Sequence, residues 1–510
     1  MAQVNKIDSN ITGLAFAEEA VLGSLPGENG NPGTPVWHSL APNSYNDFGG
    51  EIVTVAPNPI NPSRQRRKGV TTDLNASGGI NQNFTFSNFA ELMQGVMFAD
   101  TREKGYEEPN TVDATDFLVS STTGFLVGSL IKGQNFAAAS NNALQVVTAV
   151  VADTSIACAA TVVDAVPADR ANIRVVGFEA ATTDIDVDVS GTLPALTSTV
   201  LDFTTLGLVE GQWVFVGGDG TSSRFVTAAN NGFKRVRSIA ANTLTFDKSD
   251  ATMVAETGTG LDIRLFFGDV IRNETGSLIQ RRSYNVERLL GAPDDASPAQ
   301  IQTEVLIGAV PNEFTLNVPS ADLLNADITF VATDNAQRDG ATGPKQASVL
   351  APFVAKEYNT SSDVNRIRLA AVSQTDAAPT ALFAFVTEAT ISINNNVTPN
   401  KAVGVLGAFD VTAGTFTVSG NLTAYFSNVA AVLAVRNNSD ITLDMGFVRD
   451  NQGVIFDFPL IALGDGRLSV EVDQPVTLPL STDMASGEDV DATLNHTMLV
   501  TYFNYLPTVA

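Results

Sequence analysis

An internal repeat sets the architecture open to this chain. Phe86-Ser87-Asn88 is followed by Phe89, Leu92, Met93, Val96 and Met97, an i, i+3, i+4, i+7, i+8 apolar stripe behind a Ser/Asn start signal. Phe426-Ser427-Asn428 is followed by Val429, Val432 and Leu433, and the spacing holds: 426 − 86 = 340 and 433 − 93 = 340. Strand-like runs lead into both helices, Val70 to Phe86 and Val403 to Tyr425. A tandem duplication of one strand-rich unit with a single flanking helix is therefore expected.

The rest of the chain reads as short runs rich in Val, Ile, Thr and Phe, punctuated by Gly, Asn, Asp and Pro, which is the grammar of a mainly β protein. Thr442 to Val448 and Val454 to Phe458, joined across Asp450-Asn451-Gln452-Gly453, read as a hairpin. The repeats differ after the helix: the second reaches its next strand at Ile441, the first only near Ser277, so roughly 101 to 272 is an insertion. A weaker repeat lies inside it, with Asn141-Asn142 and Asn230-Asn231 each opening a strand, a break and a second strand, 230 − 141 = 89. The expected organisation is an N-terminal arm (1–48), a first unit (49–100 and 273–350), inserted β-modules (101–190 and 191–272) and a second unit (351–510). The arm, rich in Gly, Pro and Asn, is expected to order only against a neighbouring surface.

Charge narrows the function. Against 29 Lys+Arg stand 55 Asp+Glu, a formal net charge of −26, and such a field repels phosphate backbones. The 44% hydrophobic content supports a folded chain. A single cysteine, Cys158, excludes an intrachain disulfide, and His38 and His496 form no metal-ligand pattern, so no cofactor is expected. No signal-peptide pattern and no apolar run long enough for a membrane helix is seen, which points to synthesis in a cytoplasm.

Few residues invite chemistry. Arg64, Arg66, Arg67 and Lys68 form the one dense basic run. It could anchor phosphates, pair with carboxylates of neighbouring subunits, or be a solvated loop; the acidic field favours the second over the first. Asp184, Asp186 and Asp188 alternate with apolar residues, which places them on one solvent-facing side of a strand, or on calcium if loop oxygens completed a shell. Gly217-Gly218-Asp219-Gly220 lacks the Lys-Ser/Thr of a phosphate loop, and no catalytic triad pattern is evident, so an enzyme is not expected.

Taken together, GLAFAEEAVLGSLPG, TPVWHSLAPNSYNDFGG and NPSRQRRKG near the N-terminus, GQWVFVGG and TAANNGFKRVRSIAANTLTF in the insertion, and EATISINNNVTPNKAVGVLGAFDVTAGTFTVSGNLTAYF with DFPLI beyond it resemble tail tube (major tail) proteins of long, non-contractile-tailed bacteriophages. The resemblance is strongest at residues 11 to 72, 207 to 246 and 388 to 461. It implies a β-sandwich unit with a flanking helix that closes through neighbouring subunits into a ring with one continuous inner barrel, rings stacking into a tube that carries DNA. It also implies that two units per chain make a trimer of pseudo-sixfold symmetry, joined to other tail proteins at the tube ends and assembled in the host bacterial cytoplasm. The acidic balance suggests an electronegative bore, and Arg64, Arg66, Arg67 and Lys68 are the candidate inter-subunit or inter-ring contacts. The inserted modules are expected on the outside, touching host sugars or stiffening the tube. The rival expectation is an acidic adhesin or carbohydrate-binding β-protein, monomeric with exposed aromatics.

Overall fold

The computed structural model describes residues 7, 13–60, 62, 65–159, 161, 163–292, 301–340, 349–350, 355–383 and 385–509. They are mainly β, with two α-helices, α1 (Ala90–Met97) and α2 (Ala430–Arg436), among them. The helices begin at the sequence spacing, 430 − 90 = 340. The chain divides into two compact units: Met1–Ala99, Glu274–Ser361 and Glu388–Leu422 form the first, and Asp100–Asn273, Ser362–Thr387 and Thr423–Ala510 the second.

In the first unit the organising element is the strand Gln302–Val318. Its first half pairs with Tyr284–Gly291 on one edge and with Asp334–Asp339 on the other. Beyond Ala309 its partners change to Asn325–Ala332 and to Val386–Asn394. Asn325–Ala332 continues to Val70–Asn83 and thence to Ser44–Val55. Strict alternation buries Phe314, Leu316 and Val318 on one strand and Ala326, Ile328 and Phe330 on the next, so a one-residue slip would expose the whole set. α1 lies over this apolar face: Phe89, Leu92, Met93, Val96 and Met97 are all buried, and Phe89 meets Phe314 edge-on at 5.5 Å. Gly95 permits the contact, since a Cβ there would stand 2.6 Å from the Tyr284 ring. The Ser/Asn signal does not cap α1; the Asn88 side chain turns back to the Asn83 carbonyl at 2.6 Å.

The segment read as an arm finds its surface within this unit. Gly13–Glu18 pairs with Tyr284–Gly291 and with Trp37–Leu40. Buried Glu19 fixes the turn that follows, accepting from Gly308 N (2.7 Å), Ser283 Oγ (2.8 Å) and Gly23 N (2.9 Å). Burial nonetheless raises its carboxyl above the ordinary value, with those bonds opposing.

The second unit repeats the scheme. Val364–Ala371 pairs with Ile441–Arg449, which hairpins into Gln452–Asp465. The later half of Gln452–Asp465 pairs with Thr477–Ala485 and the earlier half with Leu499–Phe503. The hairpin turn is tighter than the sequence suggested: Arg449 pairs with Gln452, leaving Asp450 and Asn451 at φ 51° and 64°, the geometry of a two-residue turn.

The insertion forms one sheet of 13 strands among the described residues, running from Thr111–Val112 to Asp186–Asp188. A single core extends across it from Val112 to Phe267. The inner repeat survives in side-chain detail. Asn142 Oδ1 accepts from Phe136 N and its Nδ2 donates to Phe136 O, while Asn231 makes the same two bonds to Phe225, 89 residues on. Each asparagine stands in for a backbone pair and opens a hairpin. The sheet's other face, with Leu130, Val176, Trp213, Phe215, Phe233 and Phe266, packs on Ile455, Phe503 and Leu506.

Candidate assembly surfaces

The first unit contains a joint that links the two repeats. Residues 389–394 of the strand Val386–Asn394, which precedes the second repeat's helix, pair with residues 318–313 of Gln302–Val318. The Thr315 and Ser392 hydroxyls bond across it at 2.8 Å. The chain then turns over the C-terminal end of α1. Asn395 Nδ2 donates to the Val96 and Pro311 carbonyls at 2.9 and 3.1 Å, while Val397 and Val411 pack on Phe98 and Val310. Arg281 reaches the Val411 carbonyl and, at 3.3 Å, Asp410. The alternation of EATISIN marks the strand in the sequence, but only the fold reveals its partner.

The joint continues a polar sheet face. Opposite the buried set, the strands present Ser44, Asn81, Asn83, Thr315, Asn317, Asn325, Asp327, Thr390 and Ser392. Asn81 and Asn317 both donate to Asp327, at 2.9 and 3.0 Å. On these residues the face carries amides, hydroxyls and a carboxylate, and no cation.

The structure places Arg66, Arg67 and Lys68 in an exposed loop between Ser44–Val55 and Val70–Asn83; Arg64 lies outside the described residues. The same loop carries fully exposed Ile60, and the 395–416 loop of the second repeat carries fully exposed Val403. α2 departs from α1: Val429 and Leu433 are 65% and 47% exposed, whereas their counterparts Phe89 and Met93 are 1% and 0%. The periodicity that buries α1 leaves the α2 stripe open.

In the second unit a charge cluster lies beneath the insertion, buried except at Asp250. Arg235 forks onto Asp247 (2.7 and 2.9 Å) and reaches Asp457 at 3.0 Å. Asp457 also accepts from Trp213 Nε1 (3.0 Å) and Lys248 (3.2 Å). Arg366 pairs with Asp444 and Asp250 and stacks 4.5 Å from the Trp213 ring centroid. Burial alone would raise the Asp457 carboxyl; Arg235 and Lys248 overcome it and hold it at about 2. Burial likewise presses the His496 imidazole down to about 3, against the attraction of Asp457.

The acidic triplet is corrected by the fold. Only Asp186 and Asp188 lie on the strand Asp186–Asp188. Asp184 is buried ahead of it, accepting from Ser198 Oγ (2.6 Å) and the amides of Thr199 and Val200 (both 2.9 Å). Burial works to raise its carboxyl, and these bonds outweigh that and hold it below the ordinary value. Cys158 is buried, and burial, with Asp116 nearby, pushes its thiol up to about 12. No helix among the described residues is long and apolar enough to cross a membrane.

Over residues 9–484 the sequence matches the family model described as phage tail tube protein. No curated protein matches it.

Proposed function

Because the chain belongs to the phage tail tube protein family, we propose that copies of it join through their sheets into rings and that the rings stack into the conduit through which DNA leaves the virion. Its place is the virion tail, where members of this family assemble with themselves and with other tail proteins as structural components.

The observation that carries the ring reading is the shared order of the two repeats. Gly13–Glu18, Tyr284–Gly291, Gln302–Val318 and Asn325–Ala332 are linked as Val364–Ala371, Ile441–Arg449, Gln452–Asp465 and Thr477–Ala485 are. One chain thus supplies two ring positions, and a ring of six positions needs three chains. Sheet edges consumed by pairing cannot recruit strands at random.

We assign the bore to the polar face that holds Thr315, Asn317, Asp327 and Ser392. A wall of amides and hydroxyls with scattered carboxylates gives phosphates no ion pairs, so DNA meets weak contacts everywhere. The chain works by geometry, with no chemical step. Negative-stain electron microscopy of the purified protein tests the reading: hollow tubes or rings are expected, and monomers dispersed under all assembly conditions would contradict it.

A further inference from the structure

We propose that the exposed edge strand Ser44–Val55 and the loop bearing Arg66, Arg67 and Lys68 dock onto the α2 side of Gln452–Asp465 in a second copy of this chain, reproducing between chains the joint found within one. The inference rests on the ring reading above and names the surface that closes it.

Within the chain the joint has two parts, a strand on the edge of Gln302–Val318 and a following loop over the end of α1. Each part has a counterpart left open. In the second repeat the residues Leu460–Asp465 pair with Thr477–Ala485 on one edge. On the other edge Ile441 pairs with Ile461; beyond it, at Ala462–Asp465, the edge that Val386–Asn394 takes in the first repeat carries no strand in register among the described residues. Beside it α2 holds Val429 and Leu433 exposed, and Leu468, Val470 and Val472 are exposed just beyond. A free edge flanked by uncovered apolar side chains is an acceptor without its donor.

The donor is equally plain. Ser44–Val55 has its ladder partner, Val70–Asn83, on one edge, and Ile52, Val53 and Val55 are exposed. It stands to Val70–Asn83 as Val386–Asn394 stands to Thr417–Tyr425, where Thr387 bonds across to Thr423 and Thr417 to Asn394. The loop that follows it corresponds to the loop that covers α1. Charge favours the pairing: Arg66, Arg67 and Lys68 are exposed on the donor, and around the acceptor the exposed carboxylates Asp440, Asp465, Glu471 and Asp473 outnumber the exposed cations Arg436 and Arg467. The contact is heterologous, with different patches on the two partners, so copies add head to tail and a rotation that closes gives a ring.

Two sets of variants test this in the full chain. Ser44→Cys is combined in turn with Gly464→Cys, Asp465→Cys, Arg467→Cys and Leu468→Cys; the native Cys158 is buried and does not compete. Oxidation of assembled protein is expected to give, for at least one pair, covalent dimers and trimers on a denaturing gel. Separately, Val429→Glu with Leu433→Glu alters only exposed positions, and is expected to leave thermal unfolding unchanged while at least tenfold less protein pellets as tubes. Wild-type tubes that yield no interchain link across the cysteine series, or a folded double-Glu variant that assembles normally, would overturn the docking and leave the tube reading standing. Wild-type protein that never assembles would remove both.

Discussion

At the scale of single residues, the buried charges of the second unit set how the protein responds to acid. His496 is neutral in the fold, its pKa of about 3 lying below the ordinary 6.5. The unfolded chain therefore binds a proton that the folded chain refuses. The resulting stability is complete above pH 6.5 and is lost as the pH falls towards 3, a loss of roughly 5 kcal/mol at most. Asp457, at about 2 against an ordinary 3.8, adds about 2 kcal/mol that persists above pH 3.8 and fades towards 2. Urea unfolding of wild type should show stability declining from pH 6.5 downward. In His496→Leu the decline between pH 6 and 4 should shrink markedly, because leucine takes up no proton on unfolding; the fold should tolerate the change, since neither ring nitrogen has a hydrogen-bond partner to lose. An unchanged pH slope would contradict this assignment. Asp457→Asn should behave differently, costing about 3 to 5 kcal/mol at neutral pH by leaving Arg235 and Lys248 short of their shared anion. A loss under 1 kcal/mol by the same measurement would mean that the cluster relaxes around the change.

Elements show why the duplication fixes more than fold class. α1 and α2 begin 340 residues apart, yet one stripe is buried and the other open. An isolated helix of seven or eight residues is marginal, so tertiary cover decides what such a helix is worth. The basic loop belongs to this scale too. Replacing Arg66, Arg67 and Lys68 together by Ala should leave the chain folded but slow tube growth several-fold, most clearly at low salt, where surface charges steer encounter. Light scattering that follows growth in 50 mM and 500 mM salt checks this, and equal rates for variant and wild type would count against the loop's role. The sequence made the repeat, the strand-rich class, the hairpin before Val454 and the buried face of α1 readable, since each leaves a local pattern. It could not place Asp184, because alternation looks the same whether a carboxylate faces water or is claimed by the amides of Thr199 and Val200. Nor could it reveal that Val386–Asn394 joins Gln302–Val318 or that Asp457 lies beneath Trp213, since partners so distant in sequence leave no periodic trace.

For the molecule as a whole, the physical logic is that of unfinished sheets. Each repeat builds a strand array that ends at an edge, and one chain joins two repeats through Ala389–Asn394. In the proposed ring, half of the joints would be tethered within a chain and half would form between chains. A tethered joint has a high effective concentration of its partner, so on this reading assembly depends on the intermolecular one. The insertion answers a separate need. Its docking face combines Trp213, Phe215 and Phe233 with paired charges, so it is fixed to the strands Gln452–Asp465 and Leu499–Phe503 by burial and not hung on a loose linker.

The most direct test is the mass of one isolated ring, measured by native mass spectrometry on rings released from tubes. Three copies of the 53.6 kDa chain, arranged with sixfold-like repetition of the wall, are the expected result. Six copies per ring would contradict the claim that each chain supplies two equivalent positions.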